Sequence, residues 1–114
     1  MILETAVMQV KPGTENDFET ALRAAYEMIS RMRGYLNHEL YKCIESPHEY
    51  ILIIRWSTVK DHSMGFRKPP EYVHWMEVLQ TFMDSPPVEK HYVDIVVSGR
   101  NEAVNSTQEV SLSE

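Results

Sequence analysis

His62 follows an acid, Asp61, and stands just ahead of Gly65-Phe66-Arg67. An imidazole exchanges a proton near neutral pH, which makes His62 a candidate general base; packing or capping of a short helix is its plainer role. Arg67 offers a rigid fork of donors to an anion, and its plainer role is an ion pair with Glu71 one helical turn on. Trp56, Phe66, Tyr72 and Trp75 would give flat apolar walls suited to a ring-shaped ligand. Tyr72 and Trp75 also fall on a stripe of ordinary core spacing. Asn37 and His38 are neighbours, so in a strand only one of them faces a pocket. His38 has the parity of Leu36 and Leu40, which predicts that it points inward as a second candidate base. His74 lies beside the helical stripe and is read as solvated.

Other chemistries find little support. The five histidines include no HxxxH or HExxH pair, so no metal site is expected. Cys43 is the single cysteine; it cannot form an internal disulfide and is read as a small buried hydrophobe at the end of a strand. The 114 residues carry 17 acids against 11 bases, a net charge of −6, with no basic run beyond Arg67-Lys68, which argues against a nucleic-acid partner. The longest apolar run, Ile51 to Ile54, is too short for a bilayer, and Met1-Ile2-Leu3-Glu4 is no secretory leader, so no membrane association and a cytoplasmic location are expected. A chain of this length holds one domain, too small for a dinucleotide fold beside a substrate domain.

The elements that must position these residues follow from periodicity. Ile2 to Val10 is rich in strand formers and ends at Lys11-Pro12-Gly13. Thr14 and Asp17 read as a capping pair for a helix whose stripe is Phe18, Leu22, Ala25, Ile29 and Met32, ending at Gly34. Leu36 to Cys43 is a second strand. Tyr50 to Trp56 is a third, apolar on both faces, which predicts that something besides the protein's own helices covers its far side, most economically a second copy. After a short polar-capped segment, Ser57 to Gly65, Pro69-Pro70 opens a second helix with Tyr72, Trp75, Met76, Leu79 and Phe82 on its stripe. Val88 to Val97 is the last strand; in it His91 shares a face with Val93 and Ile95 and is read as a pocket or dimer-interface group, interface being the safer reading. The order βαββαβ predicts an α+β, ferredoxin-like domain over residues 1–97, two main helices on one face of a four-stranded antiparallel sheet. Residues 98–114 lose apolar density and read as a polar tail.

On those pieces the span from Gly34 to Tyr92 resembles the antibiotic biosynthesis monooxygenase family of the dimeric α/β-barrel superfamily. The matching stretches are Gly34-Tyr35-Leu36 with His38-Glu39-Leu40, then Arg55-Trp56, then Asp61-His62-x-x-Gly65-Phe66-Arg67, then Pro87-Val88-x-x-His91-Tyr92. The resemblance implies a homodimer whose sheets face each other as a barrel, with a pocket in each protomer between sheet and helices. Its best-known members oxygenate phenolic or quinol-like polycyclic compounds without metal or flavin; others degrade haem or act on small signalling molecules. The haem-degrading relatives use an Asn on the first strand, and Ile2 to Val10 contains none.

The expected function is therefore a cofactor-independent monooxygenase for a phenol, naphthol or quinol. Deprotonation raises the reducing power of such a ring towards O2; His62 or His38 would be the base, Arg67 the donor to the developing anion, and Trp56, Phe66, Tyr72 and Trp75 the substrate walls. The alternative is a non-catalytic small-molecule-binding or stress-response dimer, and a haem-binding protein stands third.

Overall fold

The computed structural model describes residues 1–57, 70–95 and 99. Side chains alternate along β1 (Ile2–Gln9), so Ile2, Glu4, Ala6 and Met8 are buried while Leu3 and Val7 on the other side are half-buried. β1 pairs antiparallel with β3 (Glu49–Trp56) and with β4 (Val88–Val93), and β3 pairs with β2 (Tyr35–Lys42), giving the order β2-β3-β1-β4. Tyr50, Leu52, Ile54 and Trp56 of β3 join the inward set of β1 in one core. Against them pack Phe18 and Leu22 of α1 (Glu15–Ala24), Ile29 of α2 (Tyr26–Ser30), and Tyr72, Trp75 and Leu79 of α3 (Pro70–Gln80). All the buried apolar residues of the sheet share one parity, so the helices cover one face. This is the expected α+β, ferredoxin-like arrangement. Among the described residues no helix is long and apolar enough to cross a membrane.

Four local expectations change. The first helix is not continuous: Ala25 lies at φ −85°, ψ −3°, and its N–H bonds back three residues to Leu22 at 3.1 Å, so α1 ends and α2 begins. The stripe survives the break, because Phe18, Leu22, Ala25 and Ile29 are all buried. The Thr14 hydroxyl does not cap α1; it donates to the Lys11 carbonyl at 2.7 Å, while Glu15 Oε1 accepts the Gly13 N–H at 2.9 Å. Gly13 and Gly34 take the positive φ values of +89° and +84° that their turns require. In β2 the register shifts between Tyr35 and Asn37, which throws Leu36 outward to 50% exposure and separates it from His38 and Leu40. Cys43, expected to be buried, is half-buried beside Glu45.

Among the described residues, nothing covers the far face of the sheet. Ile51 and Ile53 are half-buried there, and a groove of about 450 Å3 is lined by Leu3, Val7, Ile51, Val88, Lys90 and Tyr92. β4 stops at Val93, short of the expected Val97, and Val93 and Ile95 are 63% and 66% exposed. The tail assigned to 98–114 falls outside the described residues apart from Gly99.

Candidate active site

β1 begins where β3 and β4 finish, so three strands deliver side chains to one end of the sheet under α3. In the ladder Ile2 stands opposite both Trp56 and Val93, and Glu4 stands opposite both Ile54 and His91. Glu4 is thus a carboxylate on the core face, only 3% exposed. Removing such a group from water costs free energy unless donors and charge compensate it. Here Trp56 Nε1–H donates to Glu4 Oε1 at 2.8 Å, and His91 Nε2 stands 3.6 Å from Glu4 Oε2. The two carboxylate edges therefore meet different neighbours, one an indole and one an imidazole.

Two aromatic rings of α3 share this core. Tyr72 and Trp75 meet edge to face with centroids 5.3 Å apart, 5% and 7% exposed. Burial, and then the charges of Glu4 and Glu89, push the Tyr72 hydroxyl pKa well up, so Tyr72 stays a neutral phenol. The Trp75 indole N–H is buried and has no hydrogen-bond partner among the described residues. A buried donor without an acceptor is uncommon in native interiors and marks a place where a ligand oxygen gains more than it would in water.

The sequence-predicted residues divide into three groups. Trp56, Tyr72 and Trp75 share one core near Glu4, although Trp56 serves it through its N–H as well as its ring. His38 does point inward, as expected, but it belongs to the opposite edge of the sheet. It lies in the row His38, Ile54, Glu4, His91, two strand spacings or about 10 Å from Glu4. There the Tyr35 hydroxyl and His38 Nδ1 share a 2.7 Å hydrogen bond, and the Tyr26 ring lies 5.1 Å away. Burial lowers the His38 pKa and raises that of Tyr35, the latter helped by Tyr26. His62, Phe66 and Arg67, with Asp61 and Gly65, lie outside the described residues.

Of the two positions open to His91, pocket or interface, it takes the helix-covered face, opposite Glu4. His74 is exposed, as expected. Asn37 faces the far side and accepts from Arg55 Nη1 at 3.0 Å, beside an Arg55–Glu39 ion pair at 2.9 Å. The residue that sequence reasoning missed is Glu4. Its signal was present: an acid in the inward register of Ile2, Ala6 and Met8, where every other position is apolar.

Residues 1–78 match the antibiotic biosynthesis monooxygenase family. The chain is 41% identical over 95 residues to the uncharacterized protein YczJ of Bacillus subtilis, spanning 83% of this chain and 100% of that one. A crystal structure of a Bordetella bronchiseptica protein named for the same family superposes with a TM-score of 0.75 at 32% identity, covering 83% of this chain and 97% of the other. SnoaB of Streptomyces nogalater, a cofactor-independent oxygenase, shares the fold at a TM-score of 0.67 and 14% identity, over 86% and 94% of the two chains.

Proposed function

Because the chain belongs to the antibiotic biosynthesis monooxygenase family, we propose that it oxidises a phenol, naphthol or quinol with O2, without metal or flavin, between the sheet and α3. The observation that carries this reading is a buried carboxylate, Glu4, bonded to Trp56 of the core that also holds Tyr72 and Trp75, the last with an N–H that has no partner among the described residues. Flat walls and a few fixed polar groups suit a hydroxylated ring. The cofactor-independent oxygenase of S. nogalater lends support from the same fold. For a naphthol the balance is one ring plus O2 giving the quinone and water, all four electrons coming from the ring. His62 and His38 are proposed as bases for the hydroxyl proton, Arg67 as the donor that holds the resulting anion, and Phe66 as a further wall.

A homodimer through the open sheet faces completes the proposal. Ile51, Ile53, Leu3 and Val7 form an apolar surface that the protein's own helices leave uncovered, and a second copy would bury it in the barrel manner. The domain is assigned to residues 1–97, in a cytoplasmic setting. Incubation of the metal-free protein with a panel of naphthols and hydroquinones, with oxygen uptake recorded, tests the reaction: uptake above the autoxidation blank is expected, and none across the panel refutes it. Ligand binding without uptake would favour the non-catalytic dimer, a reading the Trp75 donor fits equally well.

A further inference from the structure

The far face of the sheet carries its charges in order. The strand registers run one row straight across it: Glu39 of β2, Ile53 of β3, Thr5 of β1 and Lys90 of β4. Leu3, Val7 and Ile51 flank the middle of that row, so the face has an apolar centre with an acid at one edge and a base at the other. Glu39 and Lys90 stand three strand spacings apart, about 14 Å, too far to pair within one chain. Glu39 keeps Arg55 beside it at 2.9 Å, with its own side chain 41% exposed, whereas Lys90 has no ion pair among the described residues. Within the strands the face bears Arg55 and Lys90 against Glu39 and Glu49 and is therefore neutral, while the whole chain carries −6. Two copies of an acidic protein repel each other least where they meet on such a face.

We propose that a second copy seats on this face with the two-fold axis along the strands, between β3 and β1, so that Glu39 of each copy meets Lys90 of the partner subunit. The proposal rests on the homodimer reading and deepens it by fixing which way the two copies face. A two-fold axis between facing sheets lies in the plane that separates them. Aligned sheets keep their strands within about 30° of each other, which leaves two directions for that axis, along the strands or across them. Across them, centred on the same row, Glu39 would meet the partner's Glu39 and Lys90 the partner's Lys90, two like-charge contacts in a surface that is losing its water. Along them, the β2 edge of each copy lies on the β4 edge of the other, and both contacts join opposite charges. The angle between aligned sheets displaces the outer strands by about one residue, which the long Lys90 stem can follow. The apolar centre supplies the affinity, and the charged edges select the orientation.

Sedimentation equilibrium of the full chain tests this by reading the dimer dissociation constant of the wild type, of Glu39→Lys, of Lys90→Glu, and of the two variants mixed in equal amounts. Either variant alone puts like charges together at both edges, and its dissociation constant should rise about tenfold or more. In the mixture a heterodimer has opposite charges at both edges again, so association should return to within about threefold of the wild type. Should Glu39→Lys fail to fold for want of its bond to Arg55, Lys90→Glu and Lys90→Gln decide the matter together: reversal of the charge must weaken association several-fold more than its removal. Single variants that associate as the wild type does overturn the orientation and leave the homodimer standing; if their mixture then associates more tightly than either, the axis runs across the strands. Weakened variants whose mixture stays weak overturn the pairing of Glu39 with the partner's Lys90. A wild type that remains monomeric up to its solubility limit refutes the homodimer and the orientation alike.

Discussion

The Tyr50 hydroxyl donates a 2.6 Å hydrogen bond to Glu19 Oε2 and so ties the middle of the sheet to α1. Lys42 Nζ stands 3.4 Å from the same carboxylate oxygen and 5.5 Å from the centre of the Tyr50 ring. Tyr50 first, then Lys42 and Arg23, hold the Glu19 carboxyl below its ordinary range. Tyr50→Phe should therefore cost about 1–2 kcal/mol in urea unfolding at pH 7. Because the folded pKa is depressed, this contribution is fully present above the ordinary value of 4.5 and is lost as the pH falls through the folded value. The gap between wild type and variant should accordingly narrow on acidification below pH 4.5, and a constant gap would mean that the hydroxyl acts by packing alone.

The two tryptophans should respond in opposite ways. Trp56→Phe removes the donor to a buried carboxylate and is expected to destabilise by about 1–3 kcal/mol. Trp75→Phe removes a donor that has no acceptor among the described residues, so thermal stability should be unchanged or slightly higher, while affinity for an oxygenated ring falls. A melting temperature several degrees lower for Trp75→Phe would show that its N–H is satisfied in solution.

His38 should remain neutral at a pH where a free histidine is already charged. Burial lowers its pKa from the ordinary value of 6.5, so the unfolded chain takes up the proton more readily than the folded one. Stability is then complete above pH 6.5 and declines as the pH falls from 6.5 through the folded value. Proton NMR should place the His38 midpoint below 6.5, and His38→Asn should remove this part of the acid sensitivity. A midpoint at or above 6.5 contradicts the burial argument.

The open sheet face offers a direct perturbation. Ile51→Glu puts a charge in the groove without touching the helix-covered core. If two copies pack there, light scattering after gel filtration should give a dimer mass for the wild type and a monomer mass for the variant at micromolar concentration, since burying two unpaired carboxylates costs more than most interfaces recover. Equal masses for both proteins would remove the barrel from the account.

Much of the fold was legible because punctuation and period agreed. Lys11-Pro12-Gly13, Gly34 and Pro69-Pro70 bracket elements whose apolar residues repeat at two, or at three and four. The break at Ala25 was not legible, since neither glycine nor proline marks it. The bulge at Leu36 shifts the register without a sequence cue. For the site, the aromatic residues stood out by type, yet the role of Trp56 depends on Glu4, whose partnership spans 52 residues and leaves no spacing to read. The side of His91 stayed open between pocket and interface for the same reason: the face of an edge strand is decided by its ladder partner, here Glu4.

The pairing of Glu4 with His91 joins nearly the first residues of the domain to nearly the last. β1 is a central strand whose two neighbours both come later in the chain, so during synthesis Glu4 waits unpaired until β3 and then β4 emerge. The site is thus the closing step of folding. A ligand held there would act as a clasp on the whole chain, slowing its opening and shielding it from proteolysis in proportion to occupancy.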